Sequence, residues 1–420
     1  IEKAHADCIA TCNKRDSNTT ICNQKLLKAV QLVHSKCNFP KKKFRPCSDK
    51  FATLNLNKSS SCGFGYKGRK GANLDEIERR SKLAQSYPDS SWNEPMILGT
   101  RLQLRNSKFI NDSLPTIKVK TRTMFMYPAH LTHVESKFGL PILIHFGKRE
   151  SGNSFYTYGR NGRRLGKLIK LRVGRKLKKK EHRFSLDIVG YDQHEIMLIL
   201  LSSFAIIRST YKLTKLESQS FDRLCCYFIS CLIIRKEGGK VVLELKDDGL
   251  SSGSIFTNVV GTFSNAIKLA YAAPEVVEKD EFIICSDDNF FISDKPLSHF
   301  ENIYKLFNHT ISVEKSDVYD SSHTVFSFLG YSWKNFRKHI DIKLSINQII
   351  YHADFRTDLD LYDRVVSRCA GVLLNGFNGI PVFKKLFPEI ISSLNNGYDP
   401  KATFFYSLLP VTSMTFGLNQ

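Results

Sequence analysis

The chain has 420 residues, 42% of them hydrophobic, which is enough apolar material for a large core shared by several subdomains and excludes a disordered polymer. Lys and Arg outnumber Asp and Glu by 62 to 40, a formal charge of +22, so the expected partner is a polyanion, nucleic acid before membrane. The longest apolar run, IMLILLSSFAII at 196–207, is too short to span a bilayer and reads as a buried helix, so no membrane span is expected and the protein reads as soluble.

The first residues, IEKAHADCIATC, lack the apolar centre of a secretory signal, and Ile1 in place of Met reads as a clipped or incomplete reading frame. Six of the eleven cysteines lie in the first 62 residues, at Cys8, Cys12, Cys22, Cys37, Cys47 and Cys62. None is in a Cys-x-x-Cys pair or beside a zinc-like His spacing, so no structural zinc is expected. Cys225, Cys226, Cys231, Cys285 and Cys369 sit among apolar residues and read as reduced core thiols, which suits a cytosolic setting. In KVKTRTMFMYP, 118–128, Lys118, Lys120 and Arg122 alternate on one side of a strand-like segment. Residues 160–183, RNGRRLGKLIKLRVGRKLKKKEHR, carry twelve Lys or Arg and run directly into an acidic motif.

That motif is HRFSLDIVGYDQHEI, 182–196, where a short apolar strand delivers Asp187 and Asp192 follows just before a helical pattern. Either acid could instead be a surface group or a helix N-cap. The apolar stretches 196–207 and 221–234 read as helices, and KVVLELKDDG, 240–249, as a strand. In DDGLSSGSIFTNVVGTFSNAI, 247–267, Gly249, Ser251, Ser252 and Gly253 make a loop able to bend closely around a substrate. A helix follows, with Ile255, Val259, Phe263 and Ile267 as a buried stripe and Thr257, Gly261 and Asn265 on another face. Such a loop and helix suit the monitoring of a sugar hydroxyl, although an ordinary amphipathic helix with a Gly/Ser start has the same pattern.

FIICSDDNFF, 282–291, sets Asp287 and Asp288 between apolar clusters. Two readings compete: the tip of a hairpin facing water, or carboxylates that hold metal. If Asp187 ends a strand, its carboxylate can converge with this hairpin on a neighbouring strand. Three hard oxygen donors suit magnesium, and a pair of ions about 4 Å apart can serve both the attacking and the leaving oxygen in phosphoryl transfer.

Taken in order, Asp-x4-Asp at 187–192, Ser-Gly-x3-Thr at 252–257 with Asn265 beyond, and Ser-Asp-Asp at 286–288 resemble motifs A, B and C of viral RNA-dependent RNA polymerases, most closely those of the partitivirus and picobirnavirus-like lineages of double-stranded RNA viruses. KVKTRTMFMYP resembles the fingers motif F, VEKSD (313–317) motif D, and FSFLGYSW (326–333) the motif E hairpin. The resemblance covers about half of the chain, 118–333, and six motifs in order are more specific than any one of them.

The resemblance implies an α+β right hand: an N-terminal extension and fingers over 1–180, palm over 181–237 and 251–335, a fingers return strand at 238–250, and a thumb over 336–420. The palm would be an antiparallel sheet packed on helices, among them 196–207 and 221–234, and LRVGRKLKKKEHR would line the template entrance, though a solvated basic loop fits as well. It further implies two Mg2+ ions, with Mn2+ as a substitute, on Asp187, Asp287 and Asp288. Lys118, Lys120 and Arg122 would clamp the triphosphate, and Lys315 would protonate the leaving pyrophosphate. Asp192, with Ser252, Gly253 and Thr257, would read the ribose 2′-hydroxyl that separates RNA from DNA. Reverse transcriptases place a bulky aromatic where Asp192 stands, so RNA synthesis is favoured.

Two positions depart from common patterns: Ser286 replaces the Gly of Gly-Asp-Asp, and Gly261 stands where many relatives have Asn. Asn265, grouped with the nucleotide-binding residues, lies about 12 Å along the helix from Thr257 and could instead brace the palm. The implied partners are RNA template and product strands, ribonucleoside triphosphates and viral capsid protein, and the implied place is the host cytoplasm or the virion. A non-catalytic basic RNA-binding or packaging protein explains the charge equally, but gives no reason for the ordered acids.

Overall fold

The computed structural model describes residues 21–87, 92–106, 117–147, 154–158, 162–246 and 249–339, so the expected thumb, all but its first four residues, lies outside the described residues. The chain divides into two compact units, one of Ile1–Gly99, Thr123–Tyr158 and Leu168–Leu329, the other of Thr100–Arg122, Gly159–Lys167 and Gly330–Gln420.

In the first unit, α1 (Asn23–Lys36) buries Leu26, Ala29, Val30 and Val33, the spacing of one helical face. Next come α2 (Asp49–Leu54), capped by the Ser48 hydroxyl, and α3 (Leu74–Ser86). Strand β1 (Met96–Asn106) begins here, and β2 (Ile117–Met126) ends here. The long α4 (Ala129–Gly147) follows, then α5 (Gly162–Val173), of which only the part from Leu168 belongs to this unit, and two short strands, β3 (His182–Ser185) and β4 (Ile188–Val189), on either side of Asp187.

Helix α6 (Met197–Ser209) is the predicted apolar helix. Helix α7 (Lys215–Ile229) starts with a capping box between Thr214 and Glu217 and stops earlier than its apolar stretch does. From Cys231 the chain is strand β5 (Cys231–Glu237), paired antiparallel along its whole length with β6 (Lys240–Lys246). The reading of 221–234 as one helix is therefore corrected. β-Branched Ile233 and Ile234 find a partner strand across the tight Gly238-Gly239 turn, and that pairing overrides the helical reading of a continuous apolar run.

Helix α8 (Thr257–Ala272) leads through α9 (Pro274–Glu278) into the hairpin of β7 (Phe282–Cys285) and β8 (Asp288–Ser293). Then come α10 (Leu297–Leu306), β9 (Thr310–Ile311), β10 (Asp317–Tyr319) and β11 (Val325–Phe328). In the second unit, β12 (Tyr331–Lys334) pairs antiparallel with β13 (Arg337–His339).

The central sheet is antiparallel in the order β10-β3-β8-β7. Segment 154–158 extends it: the Ile284 amide donates to the Phe155 carbonyl at 3.0 Å, and the Thr157 amide to the Ile284 carbonyl at 3.2 Å. Every residue of β7 is buried, as are all but the first of β8. Helix α8 packs against β7 and is flanked by α1, α6, α9 and α10. From Val259 to Ala272 every residue is buried, so the face carrying Gly261 and Asn265 is as enclosed as the apolar stripe. Its polar groups must then find partners inside the protein.

Candidate active site

The β7–β8 hairpin closes with Cys285 opposite Asp288, leaving Ser286 and Asp287 as a two-residue turn. Ser286 takes the left-handed conformation (φ 57°) that so short a turn requires of one residue. Three partners fix the turn. The Ser286 amide donates to Thr262 Oγ1 at 2.8 Å, and the Asn265 amide group donates to the carbonyls of Ser286 at 2.8 Å and Asp287 at 3.2 Å. Asn265 in turn accepts from the Tyr304 hydroxyl at 2.9 Å and is fully buried. Its place among the nucleotide-binding residues is corrected: it braces the hairpin, since burial two helical turns below Thr257 spends its polar atoms on the palm.

Strand β3 pairs with β8 through His182–Ser293 and Phe184–Phe291. Continued three residues, that register brings Asp187 level with Asp288, and the Leu186 amide still donates to Asn289 Oδ1 at 3.2 Å across the gap. Asp288 thus opens β8, Asp187 lies two residues past the end of β3 on the facing segment, and exposed Asp287 sits on the adjoining turn. The donor set is right in kind for a hard divalent cation, carboxylates half-exposed at a sheet edge. Among the described residues, no three His, Cys, Asp or Glu side chains are gathered closely enough to enclose an ion.

Lys315 lies beside this edge, its Nζ 3.9 Å from Asp187 Oδ2. It is carried by the turn between β9 and β10, two strands that pair with β4 and β3 on either side of Asp187.

The Gly/Ser loop is held from five directions. Buried Lys246 donates to the carbonyls of Phe228, Ile229 and Gly249 at 2.9–3.0 Å, capping α7 and gripping the start of the loop. The Leu250 amide donates to the Asp192 carbonyl at 2.7 Å. Gly249 has φ +73°, and a Cβ there would stand 2.7 Å from that same carbonyl, so a side chain is excluded. Ser251 donates to Phe228 at 2.8 Å. The Phe125 amide donates to the Ser252 carbonyl at 2.8 Å, while the Phe125 carbonyl occupies the space a Cβ on Gly253 would need. Ser254 Oγ donates to Glu135 Oε1 at 2.8 Å.

Thr257, at the first position of α8, donates to the carbonyls of Ser251 and Ser254 at 2.6 and 2.9 Å, so its hydroxyl hydrogen serves the loop. What remains facing outward is Gly253, with Ser252 half-buried beside it, and Asp192 exposed across the loop. Asp192 lies in a 3-10 turn (Tyr191–Gln193), and Ile196, not Asp192, caps α6, which corrects the N-cap reading.

Glu135 is a residue that sequence reasoning missed. Burial pushes its carboxyl up to about 8, against the hydrogen bonds from Ser254 and the Ile255 amide and the attraction of Lys70. Lys246 was missed as well. Glu135 lies far along the chain from the loop it holds, whereas Lys246 lies three residues before it at the end of β6, and neither carries a sequence signal of burial.

Residues 4–373 match the family described as viral RNA-dependent RNA polymerase. The chain belongs to that family. It is 25% identical over 334 residues to the RNA-directed RNA polymerase of Cryptosporidium parvum virus 1 (strain KSU-1), a match that covers 75% of this chain and 59% of that one, so the chain spans about three fifths of the relative's length. The crystal structure of the RNA-dependent RNA polymerase of a human picobirnavirus superposes with a TM-score of 0.66 at 14% identity, covering 97% of this chain and 74% of the other. Its insertion-loop deletion mutant gives 0.67 at the same identity, with 97% and 76% covered. The α+β fold is therefore that of the right-hand viral polymerases.

In this polymerase-family chain, Lys118, Lys120 and Arg122 fall on strand β2, and their side chains lie outside the described residues. The basic stretch before β3 divides in two. Arg172 is paired with Asp280, Arg175 with Glu181 and Glu281, and Arg183 donates to the carbonyls of Val173 and Arg175. These arginines are engaged within the fold; of the basic residues of this stretch whose side chains are described, Lys167, Lys170, Lys176, Lys178, Lys179 and Lys180 are exposed. Among the described residues, no helix is long and apolar enough to cross a membrane.

Proposed function

We propose that the chain is the catalytic part of an RNA-dependent RNA polymerase that joins ribonucleoside triphosphates 5′ to 3′ on an RNA template, in the replication and transcription of a double-stranded RNA virus. What supports this reading is that Asp187 follows β3 by two residues while Asp288 opens β8, the strand paired with β3, with Lys315 3.9 Å from Asp187. Family membership adds the reaction class.

Asp187, Asp287 and Asp288 would hold two divalent cations, Mg2+ or Mn2+, which when bound ease deprotonation of the primer 3′-hydroxyl and neutralise the phosphates. The remaining work falls to the chain. Lys315 gives a proton to the pyrophosphate oxygen as the bond to the α-phosphate breaks. Asp192 accepts a hydrogen bond from the ribose 2′-hydroxyl, with Ser252 beside it and Gly253 allowing close approach. Thr257 keeps that loop in shape. Lys118, Lys120 and Arg122 take the triphosphate, as the resemblance implies. RNA strands and ribonucleotides are the partners, capsid protein a further one, and the host cytoplasm or the virion the setting.

The test is RNA-templated incorporation with Mg2+ or Mn2+, comparing the wild-type chain with Asp287→Ala and Asp192→Ala. Asp287→Ala should abolish incorporation, and Asp192→Ala should lose the preference for ribo- over deoxyribonucleotides. Tight RNA binding with no incorporation by the wild type would leave the basic RNA-binding reading in its place.

A further inference from the structure

The two ladders that flank Asp187 are out of step. Ser185 pairs with Asp317 on one side and Ile188 with Ile311 on the other. Residues 186–187 of one chain segment therefore face residues 312–316 of the other, and the surplus folds into a turn. That turn closes on itself, the Lys315 and Ser316 amides donating to the Ser312 carbonyl at 3.2 and 2.9 Å. It also closes on Asp187 from both sides. The Ser312 amide donates to the Asp187 carbonyl at 2.8 Å, and the Asp187 amide donates to Ser316 Oγ at 3.0 Å.

The second of these bonds is the unusual one. A strand amide ordinarily finds a backbone carbonyl, but the slip in register removes that acceptor, and a side-chain hydroxyl takes its place. The hydroxyl belongs to the residue after Lys315, on the element whose ammonium stands 3.9 Å from the Asp187 carboxylate.

We infer that Ser316 is a positioning residue, whose hydroxyl fastens the turn carrying Lys315 to the peptide of Asp187 and so fixes the proton donor relative to the acid edge. The role rests on the polymerase reading above. It involves no contact of Ser316 with substrate: Ser316 acts through Lys315 and Asp187. The Ser312 contact uses backbone alone and survives any substitution, so the removable half of the clasp is the hydroxyl.

The experiment has two readouts. Amide hydrogen exchange on the metal-free protein follows the segment containing Asp187. Ser316→Ala should speed exchange there by about fivefold, the loss of one ordinary hydrogen bond, with other segments unchanged, and Ser316→Thr should restore protection. Steady-state incorporation on an RNA template gives the second. Ser316→Ala should lower kcat about tenfold with KM for the nucleotide changed less than about twofold, and Ser316→Thr should recover most of it.

In a Lys315→Ala background, Ser316→Ala should cost much less than it does alone, because one of the two groups it positions is gone. Unchanged exchange at Asp187, failure of the Thr rescue, or full additivity with Lys315→Ala overturns the proposal. A wild-type chain that incorporates nothing removes the polymerase reading and this role with it. An active wild type beside a fully active Ser316→Ala removes the clasp alone.

Discussion

Lys268 of α8 donates to Glu195 at 2.7 Å, and both side chains are fully buried. Glu195 follows Asp192 on the way into α6, so this pair ties the acid strand to the helix beneath the hairpin. Burial pushes the Glu195 carboxyl up, but the Lys268 ammonium and the His309 ring outweigh it and hold it down at about 2. The ammonium also lies 4.3 Å from the centre of the Tyr191 ring, whose hydroxyl donates to the Gly261 carbonyl at 2.5 Å. Removing one charge leaves the other stranded. Lys268→Met should cost about 3–5 kcal/mol in urea unfolding, whereas Lys268→Met with Glu195→Leu should cost much less, because no bare charge remains inside. Equal losses in the single and double variants would contradict this.

Glu135 supplies a pH dependence. Its carboxyl is raised from the ordinary range to about 8 by burial, so between those values the folded chain holds a proton that the unfolded chain has released. The stability it contributes is complete below the unfolded value near 4.5 and is lost as pH rises through about 8. The full swing is on the order of 5 kcal/mol. Glu135→Gln keeps an acceptor for Ser254 and cannot ionise. Its urea midpoint should stay flat from pH 6 to 9 while that of the wild type falls, and parallel curves would remove Glu135 as the titrating group.

The acid edge was legible because it depends on local rules: a short apolar strand before Asp187, and two apolar strands with a two-residue tip at Ser286–Asp287. The Gly/Ser loop was legible for the same reason, since left-handed or crowded positions select Gly at 249 and 253. The rear of α8 was not. Periodicity separates polar from apolar faces, yet Thr262, Asn265 and Lys268 are polar and buried, and their partners Ser286, Tyr304 and Glu195 come from remote parts of the chain. Charge density left the stretch before β3 open in a similar way, because composition cannot tell a paired Arg175 from an exposed Lys179.

Gly261 and Ser286 form a tight contact that two substitutions can resolve. A Cβ on Gly261 would meet Ser286 Oγ at 2.6 Å and Leu250 Cδ1 at 3.2 Å. Gly261→Ala should therefore push on the hairpin turn, costing about 1–3 kcal/mol and slowing incorporation. Ser286→Gly removes the hydroxyl and relieves the left-handed strain, a gain of about 1 kcal/mol. With both changes the clash at Oγ disappears, so the double variant should recover by about 1 kcal/mol more than the sum of the single effects. Strict additivity in a urea double-mutant cycle would show that the turn does not feel Gly261.

Arg175 and the lysines that follow it should separate structure from RNA binding. The Arg175 guanidinium is forked between Glu181 and Glu281, and its hydrogen bond holds the Glu181 carboxyl down at about 2. Arg175→Ala should lower the urea midpoint, by about 2 kcal/mol of stability, since two partly buried carboxylates lose their partner. RNA affinity per folded molecule should change little, because that charge is already neutralised. Lys178, Lys179 and Lys180 are exposed. Replacing all three with Ala should leave stability within about 0.5 kcal/mol of the wild type. If single-stranded RNA runs past them, the slope of log affinity against log salt should fall by about 2. An unchanged slope would place the RNA path elsewhere on the basic surface, and a slope lowered by Arg175→Ala instead would mean its ion pairs open when RNA binds.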